Sequence, residues 1–329
     1  MELQKQFTEI TSLIASAKSR AYQAVNKELV TLYWHVGEYV SKQVISKAWG
    51  KSVVKELADF IQVSEPNIIG FSAQNIWRMK QFYETYSNYE KLATLSRELS
   101  WSHNRLILPL ANEQEQEFYL RMSIKENWSV RELERQINSS YYERVMLADA
   151  KLSPLSRELP QDVSNTFKDT YVFELLHLPE EHQEKDLQKA IARNITKFLL
   201  EFGRDFAFMG EEYPLQVGNQ DFAIDLMFYN RSLNCMVAIE LKNERFKPEH
   251  LGQLNFYLEA LDKDIKKEHE NPSIGILLCK GKDDTVVEYA LNRSLSPTLV
   301  ADYKTKLPNK ALLQQKWEEV LANLENEEK

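Results

Sequence analysis

The chain has 329 residues, of which 43% are apolar and 27% charged, with a net charge of −8. That is the composition of a soluble globular protein long enough for two domains, since one core seldom serves beyond about 250–300 residues. No apolar run approaches the roughly 18 residues of a membrane span, the start MELQKQFTEI does not read as a signal peptide, and the acidic balance counts against broad non-specific binding of nucleic acid.

The charge is uneven. Residues 1–150 carry 18 Lys+Arg against 18 Asp+Glu, so the whole deficit falls on residues 151–329. A local basic face or a bound metal would still allow contact with phosphates. Cys235 and Cys279 both lie in apolar runs without metal-ligand spacing. They read as reduced core residues of a cytoplasmic protein.

In chain order, the first half reads as one helix after another. Ile10, Ile14, Ala17, Tyr22, Val25, Leu29 and Leu32 lie near helical spacing. LYWHVGEYVSKQV and KSVVKELADFIQ follow as separate helices, each set off by a turn-prone stretch. FSAQNIWRMKQFYETY is a further helix with Ser72 as N-cap. Its Gln74, Asn75, Arg78, Lys80 and Gln81 are residue types that contact phosphates and base edges. The same mix describes the outer face of any solvated helix. Trp101 and His103 read as core groups. Ser129 and Glu132 form an S-x-x-E capping box at the start of the next helix.

A Ser- and Pro-rich stretch then suggests a boundary, giving a helical domain over 1–152, a linker over 153–165 and a second domain over 166–329. HQEKDLQKAIARNITKFLLEFG reads as a single amphipathic helix with Leu187, Ile191, Ile195 and Phe198 on one face. Phe206–Met209 and Tyr213–Val217 suit a strand or an edge pair. DFAIDLMFY and CMVAIELKN are two strands of a hairpin. A helix over PEHLGQLNFYLEALD, a strand SIGILLCKG, a helix through DDTVVEYALNRS, a strand PTLVADY and a terminal helix complete the set. Strands alternating with helices predict an α/β domain with a mixed sheet.

The hairpin carries charge where a core strand should not. A turn centred between Ser232 and Leu233 sets Asp225 directly opposite Glu240, with Cβ atoms about 4.5–5.5 Å apart. Glu240 and Lys242 share one face of their strand. Facing carboxylates repel, and a divalent cation between them removes the conflict. Mg²⁺ takes one or two carboxylates plus waters and phosphate, and Mn²⁺ is an alternative. The set suits phosphodiester hydrolysis: Asp225 and Glu240 hold the metal, the Leu241 carbonyl completes its shell, and Lys242 assists the attacking water. E-x-K alone is common by chance, and on a solvated strand it is a polar face. Glu201, three residues after Phe198, and Gln253, one turn before Tyr257, are candidate auxiliaries; helix-end chance and a satisfied boundary residue explain them equally well.

DFAIDLMFY, VAIELK and FKPEHLGQLNFYLEALD resemble the YhcG-like family of PD-(D/E)XK nucleases. The resemblance implies a restriction-endonuclease-like mixed sheet, with Asp225, Glu240 and Lys242 as motif residues and Glu201 and Gln253 as auxiliaries. The proline–aspartate of the superfamily name is absent, since Ile224 precedes Asp225. GFSAQNIWRMKQFYETY, LSWSHNRLIL and WSVRELERQI are similar to that family's N-terminal helical domain, which implies a helix-turn-helix or winged-helix-like module and DNA as partner. A homodimer would be the arrangement for cutting both strands. The rival readings are a DNA-binding or regulatory protein with a degenerate nuclease fold, and an assembly factor recruiting partners through its terminal helix.

Overall fold

The computed structural model describes residues 2–110, 112–148, 166–179, 181–292, 294 and 296–327. The chain divides into two compact units, Met1–Arg135 and Gln136–Lys329. Among the described residues no helix is long and apolar enough to cross a membrane.

Helices α1 (Glu2–Ile45), α2 (Lys51–Ser64), α3 (Ala73–Tyr86), α4 (Glu90–Arg97), α5 (Trp101–Ile107) and α6 (Glu113–Lys125), with most of α7 (Val130–Asn138), make the first unit. Its described residues include no strand. The first two helices expected from the sequence are one. No proline or glycine separates Val25 from Leu32, and Gly37 serves packing rather than a turn. A Cβ there would stand 2.0 Å from the Met79 carbonyl oxygen, so α1 and α3 cross backbone to backbone. Val40, Val54 and Ile76 fill the core beside this crossing.

Ser72 caps α3 as expected, accepting from the Asn75 N–H at 3.3 Å. Asn75 itself is buried, accepts from Trp101 Nε1 at 2.9 Å and donates to the Gly70 carbonyl, so it belongs to the core rather than to a polar surface. Lys80 pairs with Glu84 at 2.6 Å. His103 is a satisfied core histidine, with Nδ1 2.8 Å from Ser100 Oγ and Nε2 2.9 Å from the Trp128 carbonyl.

The second unit begins with α8 (Tyr141–Met146). Arg144 fastens it there, donating to the Thr170 carbonyl at 2.9 Å and pairing with Glu201 at 3.1 Å. The expected linker over 153–165 lies outside the described residues. Next come β1 (Thr170–Val172), α9 (Glu184–Arg193), α10 (Ile195–Phe202), β2 (Phe206–Val217), β3 (Gln220–Asn230) and β4 (Cys235–Arg245). They are followed by α11 (His250–Ala260), β5 (Ile274–Gly281), α12 (Asp284–Leu291), β6 (Thr298–Lys304) and α13 (Lys310–Glu327). The helix expected across 182–203 breaks at Asn194, which caps α9 and opens α10.

The six strands form one mixed sheet in the order β1-β6-β5-β4-β3-β2. β1, β6, β5 and β4 run parallel, and β3 and β2 add antiparallel. α9 and α10 cover one face, where Leu187, Ile191 and Phe198 pack on Leu226, Phe228, Val237 and Ile239. α11 and α12 cover the other, where Leu254, Leu258 and Val287 pack on Met227, Ala238 and Leu277. Both faces are buried, which is why the parallel strands are apolar throughout.

The backbone contact at Gly37 makes a stability prediction. Gly37→Ala forces α1 and α3 apart and should cost about 2–3 kcal/mol, the upper range of overpacking. Thermal denaturation of the variant against the wild type measures it; an unchanged midpoint would show that the helices do not meet there.

Candidate active site

β3 and β4 pair in the register that the turn implied, from Asn230–Cys235 to Leu226–Ile239. The ladder stops one step short of Asp225 and Glu240. Ile224 and Leu226 are two apart on one strand, yet they bury into opposite layers, so β3 rotates at Asp225. The hydrogen bonds change hands at the same point. Asp225 Oδ2 accepts the Leu241 N–H at 2.8 Å, and the Asp225 carbonyl accepts from Gln188 Nε2 at 3.1 Å. A side-chain carboxylate thus occupies a place that a strand carbonyl would otherwise fill.

Glu240 follows Met236 and Ala238 onto the α11 face. It is only 2% exposed. Oε1 accepts from Lys242 Nζ at 3.0 Å, while the buried Oε2 has no hydrogen-bond partner. Lys242 Nζ also stands 3.7 Å from Glu184 Oε2. Burial, and then the Asp225 charge, push the Glu240 carboxyl up to about 7. Burial likewise raises Asp225, with Glu184 and Glu212 adding to the rise against the Leu241 N–H and Lys242. Burial works against the Lys242 ammonium, but Glu240, Glu184 and Asp225 outweigh it and lift its pKa above the ordinary lysine range. One lysine stands among more carboxylates than it can neutralise.

The sequence-predicted residues are partly brought together. Asp225, Glu240, Leu241 and Lys242 converge where β3 and β4 separate. Gln253 is exposed on α11 and donates to the Tyr257 hydroxyl at 2.7 Å. Tyr257 is held up first by burial and also by the charges of Glu240 and Asp225, which places it beside the pair. Glu201 is not brought there. It lies buried between Phe198 and Phe202 on the α9–α10 side, pairing with Arg144 at 3.1 Å and Lys168 at 3.2 Å and accepting the Val172 N–H. Its inward position answers buried cations, not the hairpin.

Three residues escaped the sequence reading. Glu184 and Gln188 stand one turn apart at the start of α9, and each reaches one of the separating strands. Glu184 Oε1 accepts the Asn243 N–H at 3.2 Å, and Gln188 holds Asp225. Their spacing was visible, but a glutamate in a first turn reads as a helix-dipole contact. Glu212, flanked by the Glu211–Leu226 and Tyr213–Ile224 pairs, falls opposite Asp225 in left-handed backbone with φ 45°. Nothing in the sequence announces that conformation.

Among the described residues no group of three or more His, Cys, Asp or Glu side chains is placed to hold a metal ion. The two carboxylates here nonetheless fit one. Mg²⁺ needs only one or two, with waters and phosphate completing its octahedron, and the orphaned Glu240 Oε2 is a buried acceptor that lacks a cation or donor.

Comparison with known proteins assigns the two domains. Residues 164–318 match the model of the YhcG PDDEXK nuclease domain, and residues 9–144 match that of the DUF1016 N-terminal domain. The second unit is therefore a nuclease of the PDDEXK class, an enzyme domain. The chain is 29% identical over 341 aligned positions to "Putative nuclease YhcG" of Escherichia coli (strain K12), covering 92% of this chain and 90% of the relative. The two matched regions, 9–144 and 164–318, thus carry the DUF1016 N-terminal domain and the YhcG PDDEXK nuclease domain in that order. Among solved structures, a repair endonuclease from Pyrococcus abyssi is 19% identical with a TM-score of 0.27, and EndoMS in its apo form is 17% identical with 0.26. Each of these matches takes in 40% of this chain and about half of the other, 50% and 49%.

The raised carboxyl yields a pH prediction for the cation-free protein. The folded state keeps the Glu240 proton to about pH 7, whereas the unfolded chain releases it near the ordinary glutamate value of 4.5. Stability from this group is therefore full below pH 4.5 and is lost as the pH rises through about 7. In EDTA, Glu240→Gln should flatten that decline and make the protein roughly 2–3 kcal/mol more stable than wild type above pH 7. Urea denaturation at pH 5 and pH 8 checks it. Parallel curves for the two proteins would mean that Glu240 ionises as a solvated carboxylate does.

Proposed function

We propose that the protein is a cytoplasmic, Mg²⁺-dependent nuclease acting on DNA, with Mn²⁺ able to substitute. The observation that carries this reading is the pairing of half-buried Asp225 with buried Glu240, with Lys242 Nζ 3.0 Å from Glu240 and one Glu240 oxygen unpartnered. Asp225, Glu240 and the Leu241 carbonyl would hold the cation. A bound Mg²⁺ supplies charge to offset the phosphate and eases deprotonation of a water.

The protein groups divide the remaining work. Lys242, held protonated by its carboxylate neighbours, is a hydrogen-bond donor and not the base. It orients the attacking water and offsets charge that grows on the phosphate oxygens. Gln253 and Tyr257 form a polar patch on α11 suited to a non-bridging phosphate oxygen. Gln188 and Glu184 keep β3 and β4 apart at the spacing that the carboxylates require. Glu201 supports α10 from within the core without touching substrate.

DNA as substrate is supported by the separate helical unit ahead of the nuclease domain. A polymer offers a second point of attachment that a small phosphodiester does not. The exposed Gln74 and Gln81 with the half-buried Arg78 of α3 are available for backbone contacts. The all-helical composition of that unit's described residues favours a helix-turn-helix over a winged form.

The test compares wild type with Asp225→Ala and Lys242→Ala on plasmid, linear and branched DNA and on duplex RNA, in Mg²⁺, Mn²⁺ or EDTA. Cation-dependent cleavage of DNA is expected, reduced at least about 100-fold in each variant, as for loss of a group that stabilises transition-state charge. Cleavage at the wild-type rate by both variants, or cleavage of RNA alone, would sink the reading.

A further inference from the structure

Helix α1 has two apolar faces, and its own unit covers only one. Val30, Tyr33, Trp34 and Val40 are buried on the face toward α3. N-terminal to them the helix leaves its core: from Phe7 to Leu29 every described side chain is exposed. Apolar residues continue along that length on another side, with Phe7 57%, Ile14 50%, Val25 66% and Leu32 45% exposed. At about 100° per residue the stripe lies roughly 130° around the axis from the buried face. The bundle reaches it only toward its C-terminal end, where Val36 packs against the core of Val40, Val54 and Ile76. A helix standing free in water for over 20 residues is marginal without a partner for its apolar side.

We infer that this stripe is a self-association surface, on which the α1 helix of a second copy lies antiparallel. The sequence is complementary to itself in that direction. Centring the pair on Gln23 sets Phe7 against Tyr39, Ile14 against Leu32, Ala17 against Leu29 and Ala21 against Val25. Ile14 and Leu32, 50% and 45% exposed, lie in the middle of the stripe and meet twice, once on each side of the two-fold axis. That is the pattern of a two-fold interface, where residue i meets j and j meets i. The small Ala17 and Ala21 near the centre let the helices approach closely, with larger side chains toward both ends. Tyr39 remains 57% exposed although its ring lies 5.7 Å from that of Trp49, so the stripe stays open where α1 rejoins its core.

The size is sufficient. From Phe7 to Tyr39 the stripe runs about 48 Å at about 1.5 Å per residue. With a width of about 10 Å it offers on the order of 1,000 Å² over two copies, enough for a specific interface. The inference does not depend on the nuclease reading.

Sedimentation equilibrium of the full chain at low salt across micromolar concentrations tests it. Wild type is expected to be a dimer. Ile14→Glu alone and Leu32→Lys alone each set a charge against an apolar side chain in the seam and should raise the dimer Kd at least about 10-fold, while the double exchange sets Glu opposite Lys twice and should bind at least about threefold more tightly than either single variant. Both positions are exposed on a single helix, so neither variant threatens folding. A monomeric wild type would overturn the inference, leaving the stripe to another part of this chain or to a different protein. A dimer indifferent to both single exchanges, or no stronger in the double variant than in the single ones, would overturn it too.

Discussion

Two carboxylates on neighbouring strands, one buried and one half-buried, repel, and most of the nuclease unit is arranged around keeping them together. The register of the hairpin would set Asp225 and Glu240 side by side in a continuous ladder. Instead the ladder ends at Leu226–Ile239, β3 rotates, and the Asp225 carboxylate takes the Leu241 N–H. That bond lowers the cost of burying Asp225, and the Lys242 ammonium does the same for one oxygen of Glu240. The other oxygen is left over. A site fully satisfied by its own protein would have nothing to offer a cation; this one is satisfied short of completion.

Each covering layer contributes to that arrangement. α9 packs Leu187 and Ile191 into the sheet, and the same turns carry Glu184 and Gln188 to the backbone of β4 and β3. Packing on one side of the helix thereby fixes the polar residues at its edge. α11 does the equivalent on the opposite face, where Leu254 and Leu258 anchor the helix that presents Tyr257. Both layers are needed because the strands diverge between them, and a divergence without helices on both sides would admit water to unpaired backbone groups.

The hairpin was legible in the sequence for a physical reason: charges inside apolar runs are expensive, so their presence signals a role. Its register was legible because a short turn fixes it. The helical auxiliaries were harder to assign. Glu201 points inward, as its spacing from Phe198 suggests, but the cations it meets come from Arg144 and Lys168, far away in sequence. Glu184 looks ordinary in a first turn and becomes significant only when β4 is laid beside it. Three-residue β1 is too short for any periodicity to betray, and exists because β6 offers it a parallel edge. The unity of α1 was hidden because its apolar residues change face near Leu32, from the exposed stripe to the buried side, with no break in the backbone; Gly37, inside the second expected segment, makes a contact that only three dimensions reveal.

That contact has a mechanical consequence. Backbone-to-backbone seating at Gly37 gives α1 a fulcrum, with one short arm locked in the bundle and one long arm outside it. The packed stretch extends to Val30, so the outer arm from Leu29 to Phe7 is about 33 Å at about 1.5 Å per residue. A tilt of roughly 5° where it leaves the bundle, well within the gentle curvature that long helices show, carries the tip about 3 Å. Sub-ångström repacking where α1 crosses α3 is therefore amplified into displacements the size of a side chain at the far end.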